Sequence, residues 1–145
     1  MNSLALPRTS LALVGTIFLL LGLAFLVAPE QMAPTVGLEL RKPRPAIEIS
    51  AMYGGFELGL GVFFLVAAAR TRWIRAALAA QTLGLAGLAL GRIAGIMATR
   101  TAGRTDRLMM ALVVVEVAAA TLGAIAFRVA KPALMNPRTE RRVDD

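Results

Sequence analysis

Four residues, Tyr53, Glu57, Arg92 and Glu116, carry groups able to do chemistry, and each sits within a long apolar run. A charge at mid-membrane costs at least about 2.5 to 3.5 kcal/mol on insertion scales, so ionisable groups in such runs should pair with each other instead of facing lipid. Glu57, Arg92 and Glu116 are therefore expected to form one buried cluster. Two acids sharing one guanidinium leave a spare carboxyl, which could carry a proton, bind a cationic ligand or act as an acid–base catalyst. The plainer reading is that the cluster only fixes helix register, since buried ionic groups can specify packing with no net gain in stability. Tyr53 stands one α-helical turn before Glu57, so its hydroxyl can join the cluster or cap it. Gln81 and Thr82 lie toward the other end of their run and are expected to stay outside it.

Other chemistries are narrowed by composition. The chain has no Cys and no His, which removes disulfides, thiolates, Fe–S ligation, haem binding through His and the usual base near neutral pH. No metal site and no cofactor is expected: a carboxylate-only site has no supporting spacing, and Met109-Met110 reads as soft packing rather than a copper site. Of 145 residues, 57% are hydrophobic, against roughly 45 to 50% apolar residues in soluble domains. A soluble fold of this length buries only about 70% of its unfolded surface, so broad apolar patches would face water. A bilayer resolves the excess. The net charge is +7, but only 17% of residues are charged and 6% aromatic, which argues against nucleic acid as a partner.

About 20 helical residues cross the hydrocarbon layer. Four runs qualify, at 11–28, 47–69, 73–98 and 108–129, and predict an all-α fold, a bundle of four transmembrane helices. The divisions are a short N-terminal segment 1–9, a membrane domain 10–130 and a basic, disordered tail 131–145. The first run is longer than a signal-peptide core and its exit, Leu26-Val27-Ala28-Pro29, is a poor cleavage site, so it is expected to remain as a helix. Trp73 is placed as an interfacial anchor.

Basic residues set the orientation. Arg8, Arg70, Arg72, Arg75, Arg128, Lys131, Arg138, Arg141 and Arg142 fall on one side, and Arg41, Lys42, Arg44, Arg100, Arg104 and Arg107 on the other. Nine against six puts both termini in the cytoplasm, where the tail can meet anionic lipid headgroups. The Arg100–Arg104 turn reads as a solvated loop. The connection from Pro29 to Ala46 carries Pro29, Pro34, Pro43 and Pro45 and is expected to form an irregular cap rather than an amphipathic helix. There is no internal repeat of the kind that marks an inverted-repeat transporter.

Small residues suggest where helices approach closely. Gly84, Gly87, Gly91 and Gly95 share one face of the third span, Gly54, Gly55, Gly59 and Gly61 lie in the second, and the fourth has Ala118-Ala119-Ala120 before Gly123. Such faces are expected to carry tight packing within the chain, and one left unused can support a homodimer or a larger membrane complex. Depth can be measured from the face shared by the first and third loops. At the α-helical rise Glu57 lies about 15 Å deep, Glu116 about 12 Å and Arg92 about 9 Å, differences that an arginine side chain can span.

The segments Glu48–Gly61 (EISAMYGGFELGLG), Ala28–Gln31 (APEQ) and Gly87–Arg92 (GLALGR) resemble a small bacterial four-helix membrane family known only as a domain of unknown function, akin to DoxX-like proteins. The likeness runs from about Leu11 to Val129 and rests on Glu48, Tyr53, Gly54, Gly55 and Arg92. It implies a four-helix bundle in a bacterial inner membrane and brings no activity. The leading expectation is a non-catalytic multi-pass protein that binds an apolar or amphiphilic molecule or serves as a small subunit of a membrane complex. The alternatives are an oligomeric, proton-coupled transporter using Glu57 and an intramembrane isomerase or hydrolase using Glu57 and Glu116 around Arg92.

Overall fold

In the computed structural model, residues 4–38, 43–98 and 107–134 are described. Helix α1 (Ala5–Val27) begins before the expected Leu11. Pro7 falls in its first turn, where a missing N–H breaks no helical bond. The helix ends at Ala28, whose backbone leaves helical space at φ −140 and ψ 58. Pro29 then opens the short α2 (Pro29–Met32), and a 3₁₀ turn follows over Ala33–Val36. Proline at the start of a turn is pre-set for helix, so Pro29 and Pro34 initiate structure here. The expected irregular cap is thus a pair of short helical turns, folded back so that Ala33 is buried with Phe25 and Ile49 against Met32, Val36 and Tyr53. The Arg41-Lys42 pair, the Arg100–Arg104 turn and the tail from 135 onward lie outside the described residues.

The second span is built from α3 (Pro43–Ile49), a π-helical turn over Ser50–Phe56 and α4 (Glu57–Ala69). Two features go with the local loosening: the Ser50 hydroxyl donates back to the Ala46 carbonyl at 3.0 Å, and the turn contains the Gly54-Gly55 pair. Hydroxyl back-bonding and paired glycines both weaken a regular helical ladder. An extended Arg70 and a 3₁₀ turn over Thr71–Trp73 lead into α5 (Ile74–Ala98), and α6 is Arg107–Leu134. The described structure is all-helical, with four helices long and apolar enough to cross a membrane: Ala5–Val27, Pro45–Ala69, Thr71–Ala98 and Arg107–Ala130.

The bundle is two antiparallel pairs. α1 packs along the π turn and α4, α5 packs along α6, and α1 joins the pairs by touching α5 and α6. Glycines set the first pair's separation. A Cβ at Gly22 would stand 2.5 Å from the Leu58 nitrogen and 2.8 Å from the Gly54 oxygen, and one at Gly61 would stand 2.6 Å from the Leu19 nitrogen and 2.8 Å from the Gly15 oxygen. Gly15 and Gly22 have the same sequence separation as Gly54 and Gly61, so two glycine pairs meet two helical turns apart. Backbones approach that closely only without side chains between them, and the reward in lipid is van der Waals contact.

The second pair differs from expectation. A Cβ at Gly84, Gly87, Gly91 or Gly95 would meet nothing within 4 Å among the described residues, and the same holds at Gly59. The glycine face of α5 is turned outward, because α5 meets its neighbours through Ala77, Leu78, Gln81, Leu85 and Ala89. Gly55 is exposed and would meet only Ser50 of its own span, at 3.8 Å. Gly123 of α6 does sit against a neighbour, with the Thr82 hydroxyl 2.7 Å and Gln81 Nε2 3.0 Å from the place of its Cβ.

Inside, Leu11, Phe64, Ile74, Leu78, Ala126 and others form one apolar cluster. A polar knot crosses it: Gln81 Nε2 donates to Ser10 Oγ at 3.1 Å and to the Ala119 carbonyl at 3.0 Å, tying α5 to α1 and α6. Outside, large apolar side chains face outward on every span, among them Leu20, Ile47, Leu83 and Val114. That is the pattern of a surface solvated by hydrocarbon.

This packing makes opposite predictions for glycines that look alike in sequence. Gly22→Ala and Gly61→Ala drive a Cβ into backbone atoms and should each lower stability by about 1 to 3 kcal/mol. Gly84→Ala and Gly87→Ala should be neutral or gain up to about 1 kcal/mol through helix propensity. Thermal unfolding in one detergent checks the contrast, and equal losses at all four sites would contradict the packing.

Candidate functional site

Because α5 and α6 run side by side, Arg92 and Glu116 face each other across their seam. Arg92 Nε donates to both Glu116 carboxylate oxygens at 3.2 Å, and Nη2 donates to Oε1 at 2.7 Å. This is a charge-assisted fork, the stronger and more directional form of ion pair. The side chains keep 24% and 10% of their surface, so the acid is the more enclosed of the two. Burying a pair in low dielectric is tolerable only when geometry is good and the remaining donors find partners.

One such donor is taken by sulfur. Arg92 Nη1 points at Met109 Sδ, 3.5 Å away. Met109 in turn lies beneath the connection after α1, where a Cβ on Gly37 would stand 3.0 Å from its methyl group. Gly37 adopts φ 76, the left-handed region, and ends the 3₁₀ turn by donating to the Pro34 carbonyl at 3.1 Å. Glycine is needed there both for the backbone conformation and for the approach to Met109. The ion pair therefore lies below a fitted lid of backbone, and each terminal nitrogen of Arg92 keeps an N–H that no described residue accepts.

Tyr53 borders the same region. Its ring lies 5.2 Å from that of Phe25, in the small cluster that seats the connection. Glu57 stands apart. Its Oε2 is buried without a hydrogen-bond partner, and the fork on Arg92 is made by Glu116 alone among the described residues. The expected three-membered cluster is thus a pair, with Glu57 separate. The π turn over Ser50–Phe56 changes the helical rotation between Ile47 and Glu57, so an α-helical count along this span does not give the direction in which Glu57 points.

Sequence reasoning also passed over several positions. Ser10 and Gln81, neither of them a site candidate by sequence, together form the buried polar knot; a polar residue inside an apolar span is the available signal. The contact of Met109 with Arg92 has no signal in the sequence. Gly15 and Gly22 were hidden in the most apolar run of the chain. Among the described residues no group of three or more His, Cys, Asp or Glu side chains could hold a metal ion.

What the site can do chemically follows from its free valences. Arg92 and Glu116 cancel in charge while the guanidinium retains donors that no described residue accepts, which suits an oxygen acceptor such as a carbonyl, ester or phosphate group. Glu57 offers a buried acceptor for a hydroxyl, or a place for a proton. The pairing itself is testable by a double-mutant cycle. Arg92→Met or Glu116→Leu alone strands a charge and should cost about 3 kcal/mol, while the double variant should recover most of that loss. Additive losses in thermal unfolding would contradict a coupled pair.

No curated protein and no solved structure matches the chain. A family described as a domain of unknown function, DUF4345, matches residues 6–127, a stretch that includes Tyr53, Glu57, Arg92 and Glu116 and reaches all four apolar helices. With its four candidate membrane-spanning helices and this match over most of its length, the chain belongs to the DUF4345 family of unknown function.

Proposed function

We propose that this multi-pass membrane protein binds an amphiphilic small molecule, whose polar end hydrogen-bonds Arg92 beside Glu116 and whose apolar part lies along the bundle. One observation carries the reading: the Arg92 side chain is forked onto an enclosed carboxylate, keeps 24% of its surface, and touches Met109, which lies against Gly37. An arginine needed only as glue gains nothing from keeping donors open at a site's edge. Specific polar groups in an otherwise apolar setting are the usual composition of a small-molecule site.

The setting we infer is a bacterial inner membrane, supported by the likeness to DoxX-like proteins. The excess of basic residues beside Arg8, Arg70–Arg75 and the tail favours both termini in the cytoplasm, with the tail after residue 130 outside the membrane domain. Under this orientation the Arg92 site opens away from the cytoplasm. Acid–base catalysis by Glu57 and Glu116 has less support, because Arg92 engages both carboxylate oxygens of Glu116.

Native mass spectrometry of the gently solubilised protein tests the binding reading. The wild type should retain a defined small-molecule mass that the Arg92→Gln/Glu116→Gln variant, folded by circular dichroism, releases. An unchanged adduct in the variant, or a wild type free of any adduct, would overturn it.

A second reading rests on Glu57, whose Oε2 lacks a partner inside the bundle. Ionisable groups at membrane depth commonly mark proton paths. In liposomes loaded with a pH-sensitive dye, the wild type should dissipate an imposed proton gradient faster than Glu57→Gln. Equal rates would rule this reading out.

A further inference from the structure

The opposite end of the bundle carries a second concentration of charge. Arg8 opens α1, Arg70 and Arg72 lie in the turn between α4 and α5, Arg75 is in the first turn of α5, and Arg128 is near the end of α6. The antiparallel order of the helices brings all five to one end. Of the acidic residues of the described segments, Glu30, Glu48 and Glu116 lie toward the other end and Glu57 at mid-span, and none pairs with these arginines.

Three of the arginines are fixed in place. Arg8 Nη2 donates to Thr71 Oγ1 at 3.2 Å, which holds it beside the α4–α5 turn. The Arg72 guanidinium carbon lies 5.8 Å from the centre of the Trp73 ring, and that of Arg75 lies 4.8 Å from the centre of Phe127 on α6. Arg75 Nε is buried and has no acceptor among the described residues. Its charge is therefore held on an aromatic face with no anion among the described residues, in a helix turn whose own dipole is positive. Trp73, half-buried and packed 6.1 Å from Phe63, gives the same corner an apolar wall.

We infer that this corner, Arg72 and Arg75 between Trp73 and Phe127 with Arg8 alongside, binds the phosphate of an anionic phospholipid. Guanidinium forks match phosphate oxygens. The membrane-spanning reading of the helices places the corner at the headgroup level, where a tryptophan belongs. The aromatic walls suit the glycerol and first acyl carbons. This site is separate from Arg92 and independent of what binds there.

Trp73 is the only tryptophan in the chain, so its fluorescence reports on this corner alone. The full-length protein is reconstituted in vesicles of phosphatidylcholine containing increasing fractions of phosphatidylglycerol with brominated acyl chains, and compared with brominated phosphatidylcholine. The wild type should favour the brominated anionic lipid about five-fold or more, and inorganic phosphate at matched ionic strength should not reverse the quenching. Arg72→Gln/Arg75→Gln should abolish the preference, whereas Arg128→Gln, at the same end, should retain most of it. Circular dichroism verifies that each variant is helical, and Arg75→Lys, which keeps the charge without the fork, should give an intermediate preference. Equal quenching by both lipids, displacement by free phosphate, or equal loss in Arg128→Gln and the double variant would each overturn the site.

Discussion

A charged pair inside a hydrocarbon slab must be solved locally, and Arg92 with Glu116 is this protein's solution. The carboxylate is enclosed and the guanidinium folds onto it through Nε and Nη2. That geometry requires α5 and α6 to lie in one register along their seam. The knot of Gln81 with Ser10 and the Ala119 carbonyl locks the same seam toward the other end and adds α1 to it. Polar contacts thus specify where the second helix pair sits, while apolar contacts, which lipid tails offer equally well, cannot.

The first pair is organised by the opposite means. No hydrogen bond between side chains joins α1 to α4 among the described residues; glycines let their backbones meet, with Gly15 and Gly22 against Gly61 and Gly54. The π turn between Ser50 and Phe56 falls where this contact ends and the polar site begins. Within it Tyr53 stands against Phe25. One local irregularity therefore divides a packing surface from a chemical one. π-bulges recur at functional sites for this kind of reason, since they re-aim side chains at small cost to the helix.

Four spans could be read from hydropathy because each apolar run is long enough to be a helix and too apolar to be anything else in water. The depth of Arg92 and Glu116 was also readable, since rise per residue is constant along a helix. Azimuth was not. Gly84, Gly87, Gly91 and Gly95 share a face, but nothing in their spacing says that the face looks outward, and alanines and Gln81 form the contact instead. A count along the helix sets Glu57 at a depth near that of the pair, yet the π turn over Ser50–Phe56 changes the rotation that an α-helical count assumes. Gly37 and Met109 meet only because a connection folds back over the bundle end, a long-range contact that no local pattern records.

The fold and the chemical reading converge on whether Arg92 and Glu116 share one enclosed contact in the bilayer. Solid-state NMR measures this directly, through the dipolar coupling between ¹⁵N-labelled arginine side-chain nitrogens and ¹³C-labelled glutamate carboxyl carbons in lipid, with Glu116→Gln as the background. The 2.7 Å contact from Nη2 to Oε1 predicts strong coupling that disappears in Glu116→Gln. A spectrum unchanged by that substitution would contradict the account, because the two side chains would then lie apart and the bundle would have no polar centre at this seam.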